Sequence, residues 1–250
     1  MQQPFQQPVV VDFVKTNRVD VMGLIETKLL EKNIGWFMSR YFPAWKYVFV
    51  LVSPDPRRPN KLITCRMLLL WNPCMINLDV VSIEEQVIHT KIRCTRSRNE
   101  FYFSLVYGLH SPEIRQILWD SLVNFGMQGE PYLISGDFNA IMHVDERRGR
   151  KKPDNREMDG PIRACARLGI QDTPCTGCTF TWSNGTVFSK IDRAMVNQEW
   201  QDKGFIVNTT FMPPGFQTDH SLAKTKIFGD VKSYPKPFKF FNCGIIGARG

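Results

Sequence analysis

Apolar runs with period-two alternation dominate the first half of the chain. VDVMGLIE (19–26), AWKYVFVLV (44–52), MLLLWN (67–72), INLDVVSIE (76–84), VIHTKIRCT (87–95), EFYFSLVYG (100–108) and PYLISGD (131–137) are rich in Val, Ile, Leu, Phe and Tyr. Such patterns predict half-buried or fully buried strands. A helical period appears in SPEIRQILWDSLVNF (111–125), where Ser111 reads as an N-cap and Pro112 as the first helical residue. REMDGPIRACARLG (156–169) predicts a second helix closed by Gly169, with Gly160-Pro161 delaying its start. Strands interleaved with helices predict two layers of mostly antiparallel sheet flanked by helices. After Gly229 the sequence turns Pro-, Lys- and Gly-rich and reads as an extended tail.

Length and composition then narrow the class. A chain of 250 residues, 43% apolar and 12% aromatic, suits one packed domain rather than a disordered polymer. No apolar run reaches the 18 or more residues of a membrane span, and MQQPFQQPVVVDF carries no secretory pattern. An intracellular, nuclear, monomeric protein is expected. Seven cysteines, an odd number scattered over the chain, suit reduced thiols. The CxxC of TPCTGCTF lacks a second ligand pair nearby, so Cys175 and Cys178 read as a turn.

Charge adds a partner. Lys plus Arg is 32 against 24 for Asp plus Glu, a net charge of +8 that attracts polyanions, nucleic acid above all. Arg147, Arg148, Arg150, Lys151, Lys152 and Arg156 cluster in ERRGRKKPDNR. Such runs are commonly solvated loops, but this one follows directly on candidate chemistry.

That chemistry sits where strands reach their rims. Glu26 follows DVMGLI, Asp137 and Asn139 follow YLIS, Asp192 sits in SKIDRAMVN, and Asp219 and His220 sit in GFQTDHSL. Any one of these could merely terminate a strand. Together they supply hard oxygen ligands for Mg²⁺ or Mn²⁺, a general base, and a histidine that can face developing negative charge. In GDFN, Asp137 and Asn139 alternate with Phe138, which predicts both polar side chains facing a pocket with the ring packed behind them.

These segments carry a resemblance. GDFN (136–139), LIETKL (24–29), VYGLHSPEIRQILW (106–119), SKIDRAMVN (189–197) and TDHS (218–221) resemble, in order, the motifs of the endonuclease/exonuclease/phosphatase superfamily. More narrowly they are similar to the apurinic-type endonuclease domain of plant LINE-type (non-LTR) retrotransposons, as are MLLLWNP (67–73) and CTFTWSNG (178–185). The resemblance runs from about residue 9 to about residue 228. It implies a DNase I-like four-layer α/β sandwich of two mostly antiparallel sheets flanked by helices. Residues 1–8 are then an unstructured segment, 9–228 the domain and 229–250 an extended tail.

The resemblance also implies metal-dependent phosphodiester hydrolysis on DNA. Glu26 and Asp219 would hold the metal, and Asp137 would orient or deprotonate the attacking water with Asn139 holding that water or the phosphate. Asp192 would pair with His220 to stabilise the transition state, and Tyr107 would contact the scissile phosphate. His110, Arg147, Arg148, Arg150, Lys151 and Lys152 would contact nucleic acid. Relatives begin with a strand ending in Trp-Asn-x-Arg-Gly, whereas this chain begins MQQPFQQPVVVDF, so the first core strand is expected to be missing. PFKFFN (237–242) is similar to the segment that leads toward a reverse transcriptase, yet the sequence stops eight residues later with no such domain, which reads as truncation at both ends. Two other readings stand beside the endonuclease: a non-catalytic remnant that binds nucleic acid, and a phosphatase of the same fold acting on small esters. Salt dependence separates them, since contacts to DNA phosphates weaken steeply with ionic strength.

Overall fold

The computed structural model describes residues 6–52, 62–126, 129–149, 153, 155–215 and 218–228. The chain opens with helix α1 (Gln6–Asn17), followed by β1 (Val21–Ile25), α2 (Glu31–Tyr41), β2 (Lys46–Leu51), β3 (Cys65–Trp71), β4 (Ile76–Ile83), β5 (Val87–Cys94) and β6 (Glu100–Tyr107). Then come α3 (Pro112–Phe125), β7 (Tyr132–Asp137), β8 (Arg147–Gly149), α4 (Asn155–Leu168), β9 (Ile170–Asp172) and β10 (Cys175–Gly177). The last elements are β11 (Trp182–Ser183), β12 (Val187–Ser189), β13 (Asp192–Asn197), α5 (Gln198–Asp202), β14 (Ile206–Met212) and β15 (Leu222–Phe228).

A six-stranded sheet runs in the order β4-β5-β6-β7-β13-β9, with the β6–β7 pair parallel and the other pairs antiparallel. Two three-stranded sheets, β1-β3-β2 and β10-β14-β15, contribute to the layer on one of its faces. Strand β3 shows how the layers close. All seven of its residues are buried, and they alternate: Met67, Leu69 and Trp71 enter the core shared with β5, β6 and β7. Leu68 and Leu70 enter the core formed with α1 and α2. Val207 of β14 reaches the same inter-sheet core. On the far face of the six-stranded sheet, Leu118, Trp119 and Leu122 of α3 and Ala164 of α4 pack on Val106, Ile134 and Met195. The result is the expected four-layer α/β sandwich with a DNase I-like fold.

Two expectations about boundaries change. Residues 6–8 belong to α1 rather than to an unstructured segment, because Val14 on that helix is buried against Met22 and Leu70 and ordering its first turn costs little with Pro8 there. Helix α4 starts at Asn155 and runs through Pro161 instead of beginning after it. Tertiary contacts compensate for the missing hydrogen bond: Glu157 is paired with Arg147 at 2.7 Å, Met158 is buried, and Gly160 lies flush on the Trp119 ring. Helices α1, α2 and α5, the short strands from β8 to β12, and the longer β14 and β15 were not marked by the sequence pattern.

Ser111 does cap α3, accepting from Ile114 N–H at 3.4 Å, with Pro112 beginning the helix. Strands β1 and β15 each end a three-stranded sheet. Residues 1–5 and the expected tail, 229–250, lie outside the described residues, as do Arg150, Lys151 and Lys152.

Candidate active site

Strands β6 and β7 run in parallel, so their C-terminal ends emerge side by side, with Tyr107 in register with Asp137. Strand β13 runs the other way and places Asp192 directly opposite Asp137. Two carboxylates and a phenol are thereby gathered from segments up to 85 positions apart, by sheet register alone. The approach of β7 to β6 depends on Gly136, whose φ is +147° and where a Cβ would fall 2.0 Å from the Val106 carbonyl oxygen.

The pleat ends at Asp137, and the way Asn139 reaches the pocket differs from simple alternation. Asn139 adopts φ 48°, the left-handed region that Asn tolerates better than most residues. Its backbone N–H donates to Asp137 Oδ1 at 2.8 Å, and its side-chain Nδ2 donates to Asp137 Oδ2 at 3.2 Å and to the Gly108 carbonyl at 2.7 Å. A turn, rather than a continuing strand, folds Asn139 back beside Asp137. Phe138 packs behind as expected, buried and stacked on Trp119 with parallel rings 5.9 Å apart.

His220 stands over both carboxylates. Its Nδ1–H donates to Asp192 Oδ2 at 3.0 Å, and its Nε2 lies 4.0 Å from Asp137 Oδ2. Burial disfavours charge on this imidazole, but the hydrogen bond to Asp192 and the charges of Asp192, Asp137 and Asp219 outweigh it and lift the pKa to about 9. Asp137 moves upward to about 8, first because it is buried and then because Asp192 repels its charge. His220 and the Asn139 N–H act in the opposite sense.

Glu26 and Asp219 occupy the flanks. Glu26, at the end of β1, takes φ 50°, a costly conformation for a residue that is neither Gly nor Asn and a feature found disproportionately at functional sites. It accepts a short hydrogen bond from the Tyr107 hydroxyl and is close enough to raise the pKa of Asp137. Burial and then Glu26 push the phenol of Tyr107 upward, so it stays protonated. The Arg66 guanidinium lies 6.0 Å over the Tyr107 ring. Asp219 accepts from Trp182 Nε1 at 2.8 Å.

The expected residues therefore converge unequally. Asp137, Asp192 and His220 present ligand atoms within 4.8 Å of one another. Glu26 and Asp219, expected as the metal ligands, flank that group with carboxylates engaged by Tyr107 and Trp182. The donor set fits a hard divalent cation: it is rich in carboxylates, and a cation would offset the burial and the repulsion that raise Asp137. His110 is exposed beside Gly108. Arg148 is exposed on β8, whereas Arg147 engages Glu157 at 2.7 Å and Ser189 Oγ at 3.1 Å, which draws it away from a nucleic-acid surface.

Two residues that hold the site were not singled out from the sequence. The Thr181 hydroxyl accepts from Ile191 N–H at 3.1 Å and Asp192 N–H at 2.9 Å, while its carbonyl accepts from Ser221 N–H at 2.6 Å. It thus ties the segment carrying Asp192 to the one carrying His220. Trp182 supplies the bond to Asp219 and bridges to His220 along the backbone. The only signal for either was the quoted phrase CTFTWSNG.

With the site assembled, its relatives can be placed. A comparison with curated proteins finds none that matches. Among solved structures, the endonuclease domain of TRAS1, a telomere-specific non-LTR retrotransposon, aligns with a TM-score of 0.65 at 13% identity, covering 91% of this chain and 94% of that one. A mannosyl-6-phosphatase of Bacteroides thetaiotaomicron aligns at 0.59 and 14% identity, covering 89% and 90%. The catalytic domain of human Nocturnin aligns at 0.57 and 13% identity, covering 89% and 86%. At such identities these likenesses establish the shared fold. The sequence itself matches the family model described as "Endonuclease/Exonuclease/phosphatase family" over residues 9–220, and the chain belongs to that family.

Proposed function

We propose that this chain is a metal-dependent DNA endonuclease, of the kind found in plant LINE-type non-LTR retrotransposons. The observation that carries the reading is the clustering of Asp137, Asn139, Asp192 and His220 at the adjoining ends of β7 and β13, with Tyr107 and Glu26 beside them. The net charge of +8 favours a polyanionic substrate over a small ester.

Asp137, fixed by two bonds from Asn139, accepts the proton of an attacking water as its oxygen bonds to phosphorus. The bond from phosphorus to the leaving sugar oxygen breaks on the opposite side, and that oxygen takes a proton from solvent. His220, held charged by Asp192, donates a hydrogen bond to a non-bridging oxygen where negative charge accumulates. The Tyr107 hydroxyl, oriented by Glu26, steers the phosphate. Glu26 and Asp219 are the carboxylates that would hold Mg²⁺ or Mn²⁺, which when bound offsets the charge on the phosphate and acidifies water.

Nicking of supercoiled plasmid by the purified chain tests this, with Mg²⁺, with EDTA, and with Asp137→Ala. Open circles that require Mg²⁺ and disappear in D137A are expected. Folded protein that leaves the plasmid intact sinks the reading. If it instead releases phosphate from a sugar phosphate, the small-ester alternative takes its place.

A further inference from the structure

Gly108, Leu109 and His110 lead from the end of β6, which carries Tyr107, to Ser111, the N-cap of helix α3. They lie flush against the GDFN turn: a Cβ on Gly108 would come within 2.3 Å of the Phe138 carbonyl oxygen. Their backbone is held on all sides. Gly108 N–H donates to the Asp137 carbonyl at 2.7 Å, and the Gly108 carbonyl accepts from Asn139 Nδ2 at 2.7 Å. Leu109 N–H donates to Gln86 Oε1 at 2.8 Å. The next two carbonyls, of Leu109 and His110, both accept from one nitrogen, Nη1 of Arg115, at 2.9 and 3.2 Å.

Arg115 is 3% exposed. A buried guanidinium is costly unless its hydrogen bonds and charge are satisfied. Its side-chain bonds here go to the Leu109 and His110 carbonyls, and its Nε has no hydrogen-bond partner among the described residues. A helix that needed only an apolar anchor would be served better by Leu or Met at this position. The cation is instead committed to the connection that carries His110 and that supplies, through Gly108, the acceptor for Asn139.

We propose that Arg115 is a positioning residue for phosphodiester hydrolysis: by fixing the Leu109 and His110 carbonyls it fixes Gly108, and through Gly108 the orientation of Asn139 beside Asp137. This rests on the endonuclease reading above. Misplacing a positioned group by about 1 Å can cost on the order of a hundredfold in rate without loosening substrate binding. The effect therefore belongs in kcat rather than in KM.

The test compares the full chain with Arg115→Met and Arg115→Lys, alone and combined with Asn139→Ala. In R115M kcat should fall about tenfold to a hundredfold with KM nearly unmoved. R115K should restore the rate in part, because one ammonium can still donate to both carbonyls but sits on a flexible, strongly hydrated stem. In the N139A background the same change should cost little more, since both act through one side chain. Amide exchange of the 108–110 segment in R115M should quicken, a readout independent of turnover. If R115M lacks a cooperative melt, R115K carries the same comparisons. Wild-type kcat in the variant, losses that add fully to those of N139A, or unchanged exchange of the segment would each overturn the proposal. A wild-type chain that does not nick DNA overturns the endonuclease reading instead, and exchange alone then decides whether Arg115 holds the segment.

Discussion

His89 shows how much a single buried residue can contribute. It is fully buried, with Nδ1 2.6 Å from Ser104 Oγ, Nε2 3.1 Å from Ser121 Oγ, and its ring stacked on Phe125. Glu84, 3.9 Å from Nε2, is the acid that faces it. Burial holds its pKa down to about 4 from the usual 6.5. As pH falls the unfolded chain takes up this proton first. The stability owed to the neutral ring is therefore complete above about pH 6.5 and is lost between there and about pH 4. Urea unfolding should show a loss on the order of 2 kcal/mol from pH 7 to pH 5, and His89→Phe should remove most of that slope. An equal slope in H89F would assign the pH dependence to other groups. At this scale the candidate site was largely legible: Asp137, Asn139, Asp192 and His220 are polar residues at the ends of apolar runs, a local pattern. Thr181 and Arg115 were not, because a hydroxyl or guanidinium in sequence does not say which backbone groups it will meet.

Among elements, the join between β13 and the turn before β8 is the one that electrostatics secures. Arg193, 1% exposed on β13, reaches Glu146 on one side and Asp172 at 2.7 Å on the other. Lys190 joins Asp172 at 2.5 Å. Glu146 in turn accepts from the backbone N–H groups of Met142 at 2.7 Å and His143 at 3.2 Å. Because Arg193 adjoins Asp192, this network also anchors the site. Arg193→Met should lower stability by about 3 kcal/mol, since two carboxylates lose their buried partner. A shift of the urea midpoint worth less than about 1 kcal/mol would mean that Lys190 suffices. The long central strands were legible because β-branched and aromatic runs announce themselves. Strands β8 to β12 are two or three residues long, too short for a periodic pattern, and β8, β9 and β10 pair only with distant segments, while Pro161 argued locally against a helix start that packing nevertheless sustains.

The whole molecule couples a positive charge to an acidic site. Cations spread over the surface, Arg148 on β8 among them, suit long-range attraction of a polyanion, while the carboxylate cluster suits a metal. If about six phosphates are contacted, raising salt from 50 to 200 mM should weaken binding to duplex DNA about 10³-fold. Fluorescence anisotropy with a labelled duplex measures this, and a nearly flat salt response would argue against DNA as the ligand. No described helix is long and apolar enough to cross a membrane. Two sheet layers flanked by helices followed from the alternation of strand and helix patterns and the four-layer sandwich from the family resemblance, but the division of one layer into β1-β3-β2 and β10-β14-β15 followed from neither.

By itself the sequence determined which residue types stand at strand ends, where the long strands lie and the sign of the net charge, because these depend on neighbours a few positions away. Only the tertiary structure decided that Asp137 faces Asp192 across β7 and β13, that Asn139 turns back through a left-handed residue, and that Glu26 and Asp219 flank the cluster. Those outcomes depend on sheet register and on hydrogen bonds between segments tens of residues apart, and such pairings are selected by the packing of the whole core.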